Sequence, residues 1–525
     1  MDKPCASQAQ AVAFLQNPNA YDPPANNITT INTHAAIIFL AGDFAYKMKR
    51  AVRYSYLDFS TLEKRRRFCE NEIKRNRTAA PGIYFDTIAI RRTKRGNLAF
   101  NKPGQPIEWL VRMRRFDQAL LFSRMADQKT LTNGHMASLA CTIARYHGRA
   151  SRIPTFDFDA NLAKIITTTV TSFAGASRLL GLDRVKGYAN AIVREHNEAG
   201  EVLRSRTSNG FVRLCHGDLH LQNIVLFEGQ PTLFDAIEFN DEIATIDVLF
   251  DLSFVLMDLW QRNLKSHANM LFNGYMSHPD TDEHLQGLSL FPLFLALRAA
   301  IRTMVTIDRL PFIDELSERT SALFQIKQYF RLACAWLRPE KPKLVAIGGR
   351  SGSGKTTMAS AIANQIGRAP GAIHLRSDIE RKRLFKVPVE HRLGPEAYTK
   401  KVSDIIYCAV CDKAARALRA GQSVVVDAVF LAPEQRKFIE QAAMDAGAEF
   451  TGVWLEARED QLLERVKKRE NDASDADIVI VARQLETKPG PMSWHTISAD
   501  GTRDDTERHV KQYLNLTAQD LKRLS

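Results

Sequence analysis

The chain has 525 residues, 45% of them hydrophobic and 25% charged, with a formal net charge of +13. That length exceeds what one hydrophobic core supports and the composition excludes a disordered chain, so two or three folded domains are expected. The charge favours anionic ligands without choosing among nucleotides, phosphorylated metabolites, nucleic acid and an acidic surface, while seven dispersed cysteines exclude a disulfide framework and suit a reducing, cytoplasmic setting.

Met1-Asp2-Lys3-Pro4 opens without a basic start and apolar run, so no secretory signal is expected. The runs Ala35 to Leu40 and Phe44 to Met48 flank Ala41-Gly42-Asp43, which reads as two strands joined by a tight turn. Lys47 and Lys49 share a face of the second strand, and Glu72 lies in the helical pattern that follows. The basic clusters Lys64 to Arg67, Arg91 to Arg95 and Arg381 to Arg383 read as solvated faces. Helical patterns dominate from Leu131 to Asn197 and from Ile246 to Trp336; within the latter, Asp251 and Asp258 interrupt the apolar run Leu249 to Leu259, so no membrane span is expected.

Between those helical regions lies Leu214-Cys215-His216-Gly217-Asp218-Leu219-His220-Leu221-Gln222-Asn223. An Asp followed five residues later by an Asn matches the HRDxxxxN loop of protein kinases with Gly217 in place of Arg. In such a loop Asp218 accepts a substrate hydroxyl proton and the amide oxygen of Asn223 holds Mg2+, with Asp235 of Leu233-Phe234-Asp235 as a second metal carboxylate. Lys47 stands where the strand lysine belongs and Glu72 is available to pair with it; Lys49 is the competing candidate. These residues resemble the aminoglycoside phosphotransferase family, whose kinase-like fold includes choline and homoserine kinases, over roughly His34 to Leu337. The resemblance implies Asp218 as base, Asn223 and Asp235 on Mg2+, and Lys47 on the α/β-phosphates. No GxGxxG precedes Lys47, and Ala236 departs from the DFG pattern.

Arg338-Pro339-Glu340-Lys341-Pro342-Lys343 reads as a linker, giving an expected division into a kinase-like domain 1–337, a linker 338–343 and a domain 344–525. Strand-like runs at Leu344 to Ile347, Ala372 to Leu375, Ser423 to Val426 and Gly452 to Leu455 alternate with helical stretches, the pattern of a parallel sheet covered on both faces. The expected fold class is therefore α/β multidomain: an α+β two-lobe kinase-like part followed by a P-loop parallel sheet.

Gly349-Arg350-Ser351-Gly352-Ser353-Gly354-Lys355-Thr356 fits GxxxxGK[ST] between a strand and a helix pattern. Backbone amides there curl around phosphate oxygens, Lys355 reaches the β- and γ-phosphates, and Thr356 ligates Mg2+. Gly349, Ser351, Gly352, Ser353, Gly354, Lys355, Thr356 and Thr357 are the expected ATP contacts. Asp378 and Asp427 follow strand runs and should face the same crevice. Asp378 is then a base for an acceptor hydroxyl or a helix N-cap, and Asp427 a metal carboxylate. Arg465 and Arg469, four apart on a helix, suit either a phosphoryl clamp or a solvated face. The CxxC of Cys408 and Cys411 reads as a buried helix face.

With Ser377-Asp378-x-x-Arg381, the strand ending in Asp427 and the basic helix, the region from Lys343 to Leu485 resembles small P-loop kinases grouped with polynucleotide kinase, gluconate kinase and zeta-toxin-like enzymes. The resemblance implies phosphoryl transfer to a hydroxyl, Asp378 as base or orienting group, and Arg381 on the acceptor. The whole arrangement resembles proteins described as bifunctional aminoglycoside phosphotransferase/ATP-binding proteins. Two Mg-ATP sites acting on small-molecule or nucleotide acceptors are expected, with no membrane partner; the competing reading is a P-loop kinase regulated by a catalytically silent kinase-like domain. Nucleic acid stays open as a partner, although no aromatic-basic stacking platform is visible. Oligomeric state is not legible.

Overall fold

The computed structural model describes residues 8–54, 57–278, 282–389, 391–468, 474–475 and 478–516. It resolves into two compact units. The first takes the chain up to Ser172 with Leu203–Asp258 and Ile301–Lys327; the second takes Phe173–Val202, Leu259–Ala300 and everything from Gln328. Compactness therefore divides the chain differently from its order, and residues 338–343 lie inside the second unit.

In the first unit, β1 (Ile28–Asn32), β2 (Ala36–Ala41), β3 (Phe44–Lys49), β4 (Tyr84–Arg92), β5 (Leu98–Phe100) and β6 (Gln105–Arg114) form one antiparallel sheet in the order β1-β2-β3-β6-β4-β5. The β2–β3 turn is as tight as the sequence predicts: Ala41 pairs with Phe44, leaving Gly42 and Asp43 as the loop, and Gly42 takes φ +56°. One face buries Phe39, Met48, Ile88, Ile90 and Leu110. The other buries Leu40, Ala45, Val111 and Ile83 together with Cys69 of the helix Leu62–Asn76. That helix begins at Thr61, whose hydroxyl accepts the Lys64 N–H. Two short ribbons follow: β7 (Val212–Leu214) with β10 (Thr245–Asp247), and β8 (Ile224–Phe227) with β9 (Gln230–Leu233).

In the second unit, β11 (Lys343–Gly349), β12 (Ile373–Arg376), β13 (Val424–Asp427), β14 (Glu449–Glu456) and β15 (His495–Ser498) make an all-parallel sheet in the order β12-β13-β11-β14-β15. Four of these are the expected strands; β15 is not, because an exposed edge strand of four residues carries no apolar run. Residues remote in sequence complete this unit. Asn269 and Asn273 of the helix Lys265–Met276 donate side-chain hydrogen bonds to the Ala372 carbonyl at 3.0 and 3.1 Å, and Asn273 accepts the His374 N–H at 2.8 Å.

Three expectations need correction. The basic clusters are not uniformly solvated: Arg65, Arg381 and Lys382 are buried, each donating to an acceptor inside the protein, such as Glu108 for Arg65 at 2.9 Å. The CxxC is not a buried face, since Cys408 is exposed and only Cys411 is partly covered. One helical stretch, His284–Phe312, contains an 18-residue segment apolar enough to cross a membrane by length and composition, although 72% of that segment is buried inside the protein.

Candidate active sites

In the first unit the period-two geometry of β3 sends Lys47 and Lys49 to the same face, and Glu72 receives both. Lys47 Nζ lies 2.8 Å from Glu72 Oε1 and 2.5 Å from Asp235 Oδ1. Lys49 Nζ lies 2.6 Å from Glu72 Oε2 and also pairs with Glu238. The side chain of Lys47 keeps 12% exposure against 1% for Lys49. Lys47 is thus the lysine that joins Asp235, and Lys49 is a sealed structural cation. Burial alone lowers an ammonium pKa, but Asp235 and Glu72 outweigh it and hold Lys47 well above its ordinary value. Burial likewise opposes ionisation of Glu72, yet the two lysines bring it down to about 2. Glu238, which sequence reasoning missed, has its pKa raised by burial in spite of Lys49. The signal for it was the unassigned second lysine, which needs a carboxylate of its own once buried.

The segment after β7 is held from below. Gly217 takes φ +81°, and a Cβ there would sit 3.0 Å from Ile237 Cδ1, which is why an HRD-type arginine has no place at this position. Asp251, fully buried, accepts the N–H groups of His216 at 3.0 Å and Gly217 at 3.1 Å and contacts His147 Nε2 at 3.2 Å. Asp258, seven residues on along the helix Val248–Gln261, accepts the Leu221 N–H at 3.0 Å. The acids that interrupt the apolar run are therefore the anchors of the loop.

Above them the candidate catalytic and metal-ligating groups converge. Asn223 Nδ2 donates to the Asp218 carbonyl at 2.9 Å and to its carboxylate at 3.0 Å; with the nitrogen committed, the amide oxygen is what the side chain has to offer a cation. His220 Nε2 is 3.3 Å from Asp218 Oδ2. Burial raises the Asp218 pKa, but His220 and Arg302 prevail and keep it well below the carboxylate range. His216 Nδ1 accepts the Asp218 N–H at 3.3 Å, so its Nε2–H donates to the Phe234 carbonyl at 2.9 Å. Asp235 sits at φ +62° with its N–H donated to Tyr84 Oη at 3.0 Å, a left-handed conformation of the kind stored at functional positions.

In the second unit β11 runs straight into the P-loop. A Cβ on Gly349 (φ +143°) would lie 2.5 Å from the Leu455 carbonyl oxygen, and one on Gly352 (φ +88°) 2.6 Å from that of Leu462. Gly354 (φ +91°) caps the helix Lys355–Ala363, which carries Thr356 and Thr357 in its first turn. Lys355 Nζ donates to the Arg350 carbonyl at 3.0 Å. Thr356 Oγ1 donates to Asp427 Oδ2 at 2.5 Å, a contact made possible because Ile347 of β11 is in register with Asp427 of β13. Ser353 Oγ is buried without a hydrogen-bond partner among the described residues. The donor set of hard oxygens from Thr356 and Asp427 fits Mg2+, as do Asn223 and Asp235 in the first unit.

Asp378 is in the first turn of the helix Ser377–Leu384 rather than at its N-cap, which is Arg376. Burial, then the charge of Asp427, raises its pKa, whereas Asp427 itself is brought to about 2 when His374, Lys355 and Arg376 outweigh burial. Neighbouring carboxylates pushed apart in this way suit separate acid-base and metal roles. Arg381 stacks 4.7 Å over the Tyr398 ring and donates to the Ala397 carbonyl. Arg465 donates to the Ala499 carbonyl at 2.8 Å and to Gln461 at 3.1 Å, so its guanidinium ties β15's following turn to its own helix; Arg469 lies outside the described residues. Gln484, unforeseen from sequence, accepts the Ser351 N–H at 2.8 Å and donates to its hydroxyl at 3.1 Å.

Residues 344–489 match the family model described as an AAA domain. An uncharacterized protein of Mycobacterium tuberculosis H37Rv is 26% identical over 490 residues, spanning 91% of this chain and 93% of the relative, and one of Mycobacterium bovis matches equally. Among solved structures, a gluconokinase from Sinorhizobium meliloti is 22% identical over 36% of this chain and 99% of its own, with TM-score 0.26. A choline/ethanolamine kinase family protein from Mesorhizobium loti is 14% identical over 63% of this chain and 99% of its own, with TM-score 0.36.

Proposed function

We propose that this chain is an ATP-dependent phosphotransferase with two Mg-ATP sites, each delivering the γ-phosphoryl group to a hydroxyl of a small-molecule or nucleotide acceptor. The observation that carries the reading is the Thr356–Asp427 contact of 2.5 Å beside Lys355 at the mouth of a complete P-loop. A hydroxyl and a carboxylate meeting beside a phosphate-binding lysine have few uses other than holding a metal-nucleotide complex. Mg2+ would be held by Thr356 and Asp427, and in the first unit by Asn223 and Asp235, where it would supply positive charge against the phosphates. The protein's own part is positional: P-loop amides and Lys355 hold the phosphates, and Asp378 takes the acceptor proton. In the first unit Lys47, kept in place by Glu72, serves the phosphates; Asp218 receives the proton, with Asn223 and Asp235 as cation ligands.

Removing one charge-stabilising donor of this kind costs about 3 kcal/mol of barrier, roughly a hundredfold in rate. Lys355→Ala is therefore expected to lower the second unit's activity roughly a hundredfold, and Asp218→Ala, which removes a general base, to lower the first unit's by about a hundredfold or more, in a phosphorylation screen of metabolites and oligonucleotides. Loss of both activities in either single variant, or Mg-ATP turnover indifferent to both, contradicts the reading.

A further inference from the structure

We propose that the crevice of the second unit holds an anion subsite, formed by Lys382 Nζ, Tyr398 Oη and the Leu393 amide and filled here by the chain's own Asp475, which a carboxylate or phosphate on the acceptor displaces. The inference rests on the phosphotransferase reading of the P-loop. Three donors from separate segments converge on one carboxylate: Lys382 Nζ lies 2.6 Å from both oxygens, Tyr398 Oη 2.9 Å from Oδ2, and the Leu393 N–H 3.0 Å from it. The side chains of Lys382 and Asp475 are 2% and 5% exposed, so the pair is sealed from water.

The preceding residue supplies the second observation. Ser474 gives its hydroxyl to Asp378, the group assigned to take the acceptor proton. Ser474-Asp475 thus sets a hydroxyl on the base and an acid group in a cationic pocket, the two features a hydroxy acid or phosphorylated alcohol presents together. Beside them Arg381, 7% exposed, has Nε buried without a hydrogen-bond partner among the described residues, a donor left for a larger occupant. With the acceptor in place, its hydroxyl oxygen bonds the γ-phosphorus, the bond to ADP breaks and the proton passes to Asp378.

The test uses the full chain. Ser474→Ala leaves the Lys382–Asp475 pair intact and uncovers Asp378, so Lys355-dependent hydrolysis of Mg-ATP, with water as acceptor, is expected to rise severalfold. Asp475→Ala leaves the pocket open; acetate and inorganic phosphate, added separately at ionic strength matched with chloride, are expected to raise its Tm saturably by a few degrees, and the more effective anion names the acceptor's acid group. A folded Asp475→Ala that answers neither anion beyond chloride overturns the subsite and leaves Asp475 a structural pin. Should that variant fail to fold, Asp475→Asn decides: raised hydrolysis supports the displacement, unchanged hydrolysis overturns it. If no Lys355-dependent hydrolysis exists at all, the phosphotransferase reading falls, whereas the anion titration still reports on the pocket.

Discussion

The two candidate sites solve one problem by opposite means. In the second unit the proposed phosphate grip is a main-chain device: eight consecutive residues, three glycines at positive φ and a lysine at a helix start. In the first unit the proposed grip is a side-chain device, in which Lys47, Glu72 and Asp235 come from three places in sequence and Lys47 pairs with both carboxylates. A main-chain site depends on the absence of side chains; a side-chain site depends on buried charges that remain paired. The contrast predicts where each one breaks.

The largest effect is expected at Lys49. Lys49→Met strands Glu238 in the interior and halves the compensation of Glu72, which should cost about 3–5 kcal/mol of stability in urea unfolding. Lys47→Met, two residues away, should instead lower turnover at the first site roughly a hundredfold. If the two variants behave alike, the division into one sealed and one functional lysine is wrong. Asp251→Ala comes next, at about 3 kcal/mol, because it leaves two buried N–H groups without their acceptor. Mg-ATP affinity at the P-loop should not change with it.

The P-loop breaks differently. Gly352→Ala puts a Cβ 2.6 Å from a backbone oxygen and should weaken nucleotide binding by about 2 kcal/mol, whereas Gly354→Ala, with open space around it, meets only the cost of its positive φ, about 1 kcal/mol. Calorimetric ATP titration separates the two; equal losses would mean that conformation, not room, dictates both glycines.

The same contrast explains what the sequence alone reveals. The P-loop was legible because its physics is local: each glycine answers a backbone need a few residues away. Asp427 was legible too, standing at the end of a Val run in the strand beside it. Glu238, by contrast, becomes meaningful only when β3 and the segment after Asp235 meet, and Gln484 reaches Ser351 across 133 residues of sequence. Asp251 and Asp258 were visible as breaks in an apolar run, but the backbone groups they anchor lie 35 and 37 residues upstream and meet them only in the fold. Arg65, Arg381 and Lys382 were misread, as a sequence does not say which members of a basic cluster have acceptors waiting inside.

The finest test of the contrast is acid stability. Glu72 has a folded pKa of about 2 against an ordinary 4.5, so its contribution is fully present above 4.5 and is lost as pH falls toward 2. Asp427 also falls to about 2 but from 3.8, a narrower window. The side-chain site should therefore loosen first on acidification. Protection factors of peptides covering Leu62–Asn76, with exchange referred to the intrinsic rate at each pH, are expected to fall from near pH 4.5 downward, ahead of peptides covering Val424–Asp427. Glu72→Gln, which keeps the shape and removes the charge, should abolish that pH dependence at the cost of a weaker but pH-insensitive helix. Should the helix exchange identically in wild type and variant across this range, Glu72 is not ionised between its two lysines, and the account of the first site as a set of mutually compensated charges fails at its centre.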